Sequence, residues 1–421
     1  MESRRKGSGG NTRASRIWKG DMMITPDKAF QLILQNTIPL PHTSIPLIAS
    51  RGYTLAEDVF ADRDFPPADR TAVDGFAVRM QDIHDCPCTL RLIGEVPAGK
   101  PASQAVEPGA CIRVLTGGAI PPLADAVIKV EDTSAQDGNI TFLKETKPGS
   151  NIRNRGEEAR KGDTLIVAGT VLRPVHVGIC ASVGKDPVAV VSKPRVLVLC
   201  TGEELKRTGD AVLDYQIRDA NGPALLAALD SAGFEDVEQK LLSDDMELIS
   251  REIRESAGRF DVMLLTGGVS VGTYDYVPKA LEKAGAAVQF HNVAMKPGKP
   301  FLYATIGDRV HVFGLPGNPL SVITSFYEFV LPALRRFSGV PLTLCRQTSQ
   351  VQLLRAVGAK KERVHLIPVK VYWDYRIPGA EPLKPLGSAD IIAVSKADGV
   401  IVVPPGEELP KGAFIEFHPW R

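Results

Sequence analysis

The carboxylates and lysines of this 421-residue chain gather on glycine-rich loops, where metal-assisted phosphate chemistry would need them. Glu203 and Glu204 lie in 201–205 (TGEEL), Asp275 in 266–276 (TGGVSVGTYDY), and Lys296 and Lys299 in 293–300 (VAMKPGKP). The loop 315–321 (LPGNPLS) adds a turn rich in glycine and proline without charge. Glycine lets backbone approach a phosphate with no Cβ in the way. Hard cations take oxygen ligands, so Asp275, Glu203 and Glu204 are candidate metal ligands, with helix capping as the plainer alternative. Two ammonium groups around a Pro-Gly turn would hold an oxyanion as point charges; otherwise they form an exposed basic hairpin tip. Asp244 and Asp245 read most simply as helix caps.

Another set of polar residues lies upstream. Residues 65–78 (FPPADRTAVDGFAV) place Asp74 on an Asp-Gly turn behind a proline-rich lead-in. Residues 113–133 supply a Thr-Gly-Gly turn at Thr116, and 148–163 (PGSNIRNRGEEARKGD) place Arg153, Arg155, Glu157 and Glu158 around Gly156. Alternating charges on a glycine-containing loop suit a metal–phosphate site, whereas Arg160 and Lys161 read as a solvated face.

Three of these loops each follow a short apolar run, at 195–200, 261–265 and 310–313, where a buried strand should end. In an open α/β sheet, ligands bind beyond the carboxyl ends of the strands, beside helix N-termini. Asn221 with Pro223 opens a helix that Gly233 closes, Asp244 and Glu247 give capping-box spacing for a second, and Asn318-Pro319 opens a third running to Leu334. Strands alternating with helices predict a parallel sheet with right-handed crossovers. Around it the texture changes. A helix is expected near 25–35 with Thr25 as N-cap, and another near 175–183. Short β runs broken by Gly and Pro fill 62–163, and β runs return at 364–371, 391–394 and 399–403.

Composition bounds the classes. The length suggests two to four domains, and 44% hydrophobic with 24% charged residues describes a globular protein. A net charge of +1 argues against broad nucleic-acid binding. The six cysteines show no paired CxxC spacing, which points to a reducing cytoplasm; a metal site at Cys86 and Cys88 lacks a second pair to support it. No apolar run is long enough to span a membrane. Residues 1–21 are basic and rich in Gly and Ser, and read as a disordered tail without an export signal.

Taken in order, DRTAVDGFAV, RVLTGGAIP, NIRNRGEEARKGD, TGEEL, QIRDANGPAL, LLTGGVSVGTYDYV, MKPGKP and GLPGNPLS resemble the molybdopterin molybdotransferases of the MoeA type, relatives of the gephyrin E domain. The resemblance runs from about Met22 to Trp420. It implies a multidomain α/β chain: a MogA-like three-layer domain with a parallel-rich sheet (193–339), a β-rich insertion (62–158), a split linking domain (22–61 and 159–192) and a β-barrel-like C-terminal domain (340–421). It also implies a homodimer that takes adenylylated molybdopterin and molybdate, uses Mg²⁺, and releases AMP with molybdenum cofactor. A molybdopterin adenylyltransferase would act upstream. Rival readings are such an adenylyltransferase, a tungstate-specific homologue and a gephyrin-like scaffold.

By the same resemblance, Asp74, Thr116, Glu158, Glu204, Asp275 and Lys296 would be catalytic, and Glu204, Asp244, Asp245 and Asp275 would hold the metal. Gly267, Gly268, Ser270, Gly272, Lys299, Pro316, Gly317, Asn318 and Pro319 would cradle the pterin phosphate. The chain departs from the family pattern at Glu158 and Glu203, where Asp is usual, at Phe76 for Tyr, and at Asn292, a position often basic.

Overall fold

The computed structural model describes residues 23–268, 276–373 and 377–420. The chain forms two compact units, 44–190 and the remainder. Helix α1 (Pro26–Asn36) opens the larger unit as the sequence predicts: Thr25 Oγ1 accepts from the Lys28 N–H at 3.3 Å, and Ala29, Ile33 and Leu34 share the buried face.

In the smaller unit the short β runs form a six-stranded sheet. Its strands are β1 (Gly75–Val78), β2 (Cys88–Val96), β3 (Ala110–Val114), β4 (Ala126–Lys129), β5 (Thr133–Gln136) and β6 (Asn139–Phe142), in the order β4-β1-β3-β2-β6-β5. One face buries Phe76, Ile128 and Phe142, with the Phe76 and Phe142 rings edge to face at 6.1 Å. Gly75 is obligatory because a Cβ there would collide with the Ile128 carbonyl oxygen. Helix α2 (Pro174–Ser182) completes this unit.

The larger unit contains a second six-stranded sheet. It comprises β7 (Val196–Thr201), β8 (Val237–Leu242), β9 (Val262–Thr266), β10 (Ala287–His291), β11 (Leu302–Ile306) and β12 (Val310–Leu315), ordered β8-β7-β9-β12-β11-β10. The first four are parallel; β11 and β10 are antiparallel additions. Along β7, Val196, Val198 and Cys200 enter one core while Leu197 and Leu199 enter another. Period-two alternation into two cores is what a sheet covered on both faces requires. Helix α3 (Asn221–Ser231) covers one face, α4 (Met246–Ser256) and α5 (Val277–Lys283) the other, giving the expected three layers.

The helix opened by Asn318-Pro319 is not uniform. It runs as α6 (Pro319–Ser325), a π-helical turn (Phe326–Val330) and α7 (Leu331–Phe337). Pro332 explains the interruption, because its ring lacks an N–H and would clash with the carbonyl four residues back.

The C-terminal strands β13 (Ser349–Leu353), β14 (Val364–Tyr372), β15 (Gly379–Pro382), β16 (Gly399–Val403) and β17 (Phe414–Pro419) pair in the order β14-β15-β13-β17-β16. The β14–β16 pairing closes the ring into a five-stranded barrel around Val351, Val369, Ile401 and Phe417. One expectation fails here: 391–394 is not a strand but the helical turn Ile391–Val394. Asp390 forces it by accepting from the Ala393 and Leu386 N–H groups, each at 3.0 Å. Among the described residues, no helix is long and apolar enough to cross a membrane.

A buried ionic clasp ties the barrel to the interrupted helix. His418 on β17, 6% exposed, sets Nδ1 at 2.8 Å from Glu328 Oε1 and Nε2 at 3.0 Å from Glu416 Oε1. Burial alone would push the imidazole pKa down, but the bond to Glu328 and its charge prevail, and the net shift is upward. A raised histidine stabilises fully below its ordinary value of about 6.5, and that contribution is lost as pH climbs through the folded-state value. His418→Gln should therefore lower the melting temperature more at pH 6 than at pH 9; equal losses at both would show that the clasp is not ionic.

Candidate active site

The parallel strands end in register. Cys200 on β7 pairs with Thr266 on β9, and Thr266 pairs with Leu315 on β12. The loops that follow therefore leave the sheet at one level. Gly267 sits at φ +92°, and a Cβ there would strike the Thr201 carbonyl oxygen, so only glycine lets the second loop pass the first. Gly317 lies beside it, its added Cβ only 3.8 Å from the Gly267 Cα.

Asn221 joins these loops. The expected cap role falls elsewhere: Asn221 is the first residue of α3, and Asp219 Oδ1 accepts from the Gly222 N–H at 2.9 Å. Freed from capping, the Asn221 amide Nδ2 donates to Thr266 Oγ1 at 3.0 Å and to the Gly317 carbonyl at 2.7 Å. Thr266 Oγ1 in turn donates to the Pro316 carbonyl at 3.3 Å. One side chain thus fixes β9, the PGNP loop and the start of α3.

A similar slip of one position separates Asp244 from Asp245. Asp245, rather than Asp244, caps α4, its Oδ1 accepting from the Leu248 N–H at 2.9 Å. Asp244 is left half-buried near Gly268, beside the Thr201 hydroxyl and the Glu203 N–H, which only partly offset its burial. Burial, followed by the charges of Glu204 and Glu203, holds the Asp244 carboxyl above the usual carboxylate range. Glu203 and Glu204 are exposed. A half-buried carboxylate facing like charges is an environment that a hard cation would relieve. Among the described residues, no group of three or more His, Cys, Asp or Glu is arranged to hold a metal. Asp275, Ser270 and Gly272 lie outside the described residues.

A cavity of about 460 Å³ opens beside the PGNP loop. Lys296, Pro316, Asn318, Arg363, His365 and Ser388 line it, while Lys299 is not among its lining residues. Asn318 precedes α6 without capping it; its amide donates to Ser388 Oγ at 2.7 Å. Burial, then the cations Lys296 and Arg363, lowers the His365 pKa, so the imidazole is neutral beside two fixed positive charges. The cavity suits an oxyanion. Arg363, His365 and Ser388 were not anticipated. The sequence marks only a basic residue, Arg363, immediately before β14 and His365 as its second residue.

Within the smaller unit, Asp74, Thr116 and Glu158 do come together. Asp74 Oδ1 accepts from the Thr116 N–H at 2.6 Å and from its hydroxyl at 2.7 Å, and these bonds hold the carboxyl below its usual range. Thr116, Glu158, Arg63, Arg70 and Arg153 border a cavity of about 650 Å³. Glu158 pairs with Arg153 at 2.7 Å, and Glu157 with the same guanidinium at 3.0 Å. The arrangement presents arginines, a hydroxyl and a carboxylate to a phosphate-sized group.

The described residues thus comprise a three-layer α/β domain with glycine-rich loops at its carboxyl edge, a β insertion and a C-terminal barrel. Family models match almost the whole chain: the MoeA N-terminal region (domains I and II) at 24–184, a probable molybdopterin binding domain at 198–336, and the MoeA C-terminal region (domain IV) at 350–420. A molybdopterin molybdenumtransferase from Synechocystis is 30% identical over 94% of this chain and 100% of its own length. One from Staphylococcus aureus strain COL is 30% identical over 91% and 92%. The crystal structure of a MoeA protein from Pyrococcus horikoshii OT3 superposes with a TM-score of 0.80 at 28% identity, covering 94% of this chain and all of that one. The chain belongs to the MoeA family of transferases.

Two substitutions separate geometry from charge. Asn221→Ala removes two bonds worth about 1 kcal/mol each, so it should lower the melting temperature by a few degrees and cut turnover roughly tenfold or more; unchanged turnover would remove Asn221 from the site. For Asp244, a folded-state pKa above the unfolded value means that the ionised carboxylate destabilises at neutral pH and that acid relieves it. Asp244→Asn should therefore raise stability at pH 7 while lowering activity, as checked by melting and turnover on one preparation.

Proposed function

We propose that this chain inserts molybdate into adenylylated molybdopterin and releases AMP. The observation that carries the reading is the in-register emergence of the Thr201, Thr266 and Leu315 loops, the last of which borders a cavity lined by Lys296 and Arg363. In this reading the backbone around Gly267, Gly268, Gly317 and Pro319 cradles the pterin phosphate, with Asn221 holding those loops at fixed spacing. Lys296, Arg363 and Ser388 receive the tetrahedral oxyanion, and Lys299 adds charge from the same turn. Glu204 and Asp244, with Asp275 of the 266–276 loop, would hold Mg²⁺, which would supply positive charge to the pyrophosphate during P–O cleavage. Asp74, Thr116 and Glu158, catalytic by the family resemblance, belong to the smaller unit. The reading includes a homodimer as the working form and an adenylyltransferase as the source of the substrate.

The β insertion and the barrel favour this over an adenylyltransferase, whose chemistry needs only the α/β domain. Purified protein supplied with adenylylated molybdopterin, molybdate and Mg²⁺ should release AMP and form molybdenum cofactor together, and Asp74→Ala should suppress both. AMP release that ignores molybdate would sink the assignment, and release that responds only to tungstate would shift the substrate. Tight pterin binding without turnover would favour a scaffold.

A further inference from the structure

The six cysteines divide into two classes. Cys111, Cys180, Cys200 and Cys345 are buried, and burial pushes the thiols of Cys111 and Cys345 up to about 12 and about 11. Buried thiols of this kind are inert. Cys86 and Cys88 are the exceptions. Both are half-exposed, and their sulfurs lie 3.8 Å apart across Pro87 at the entry to β2. That separation is van der Waals contact, so small side-chain rotations bring the sulfurs to the roughly 2.05 Å of a disulfide. No ion pair or buried polar network competes for either sulfur in the described contacts. Three or more metal ligands do not gather there.

We propose that Cys86 and Cys88 form a reversible dithiol–disulfide site that reacts with low-molecular-weight disulfides. One thiolate of the pair attacks a sulfur of the small disulfide, and the departing sulfur leaves as a thiolate that takes up a proton. The neighbouring cysteine, after losing its proton, attacks the protein sulfur of the mixed disulfide and expels the second small thiol. The protein loses two electrons and two protons; the small disulfide gains them as two thiols. Burial, and then the Cys86 sulfur, holds the Cys88 thiol above its ordinary range, so the second step quickens as pH rises. The site is not remote from the carboxylate turn. Cys88 pairs across the sheet with Phe142, whose ring packs on Phe76, two residues beyond Asp74.

The test uses the full folded chain, equilibrated with mixtures of reduced and oxidised glutathione, then alkylated with iodoacetamide and digested with trypsin. Residues 80–91 (MQDIHDCPCTLR) fall in one peptide that holds both cysteines and no other. The expected product is that peptide lighter by two hydrogen atoms, resistant to alkylation, and restored by dithiothreitol. Cys86→Ser and Cys88→Ser should each instead accumulate a glutathione adduct on the remaining cysteine. Full alkylation of both cysteines at every glutathione ratio would overturn the proposal. So would two stable glutathione adducts on the wild-type peptide, which would show that the sulfurs cannot meet.

Discussion

The molecule depends on one alignment: the carboxyl ends of β7, β9 and β12 stop at the same level. Parallel pairing sets that level, because Cys200, Thr266 and Leu315 are successive partners across the sheet. The consequences are steric before they are chemical. Loops leaving at one height must cross closely, and closeness demands glycine where the second loop passes the Thr201 carbonyl. Asn221 then converts proximity into a fixed spacing through two donated hydrogen bonds. The cost appears at Asp244, a carboxylate left half-buried beside the loops and held above the usual carboxylate range.

The sequence disclosed elements better than it disclosed side-chain duties. Apolar runs ending at glycine are a strong signal because a strand buried on both faces has little other way to be written. Capping was harder. Two adjacent aspartates both satisfy the spacing rules for a helix start, and only backbone torsion decides that Asp245 takes the Leu248 N–H while Asp244 turns away. Asn221 was misread for the same reason, since Asp219 reaches the free N–H first. At 391–394 a four-residue apolar run carries no period of its own, and Asp390 tips it to a helical turn.

The cavity beside the PGNP loop was half legible. Lys296 stood out through its Pro-Gly setting, whereas Arg363, His365 and Ser388 arrive from the barrel region and from a loop far along the chain. No local pattern marks a residue whose partner lies about seventy positions away, as Asn318 and Ser388 do. Asp74 was legible as a rigid turn, yet its bond to Thr116 joins two turns that the sequence presents separately.

The π-helical turn at Phe326–Val330 has a bearing on how this chain tolerates change in length. Such a turn holds one residue more than the α-helical path needs, and each residue advances an α-helix by about 100°. The surplus is absorbed within the turn, so Leu331, Leu334 and Phe337 face the core while Glu328 reaches His418. Relatives that lack a single residue in this turn would regain a regular helix with everything after it in the same orientation, because the residue lost is the one the α-helical path does not need. A one-residue deletion should therefore be tolerated within Phe326–Val330, whereas one elsewhere between Asn318 and Gly339 would rotate the apolar stripe downstream by about 100°.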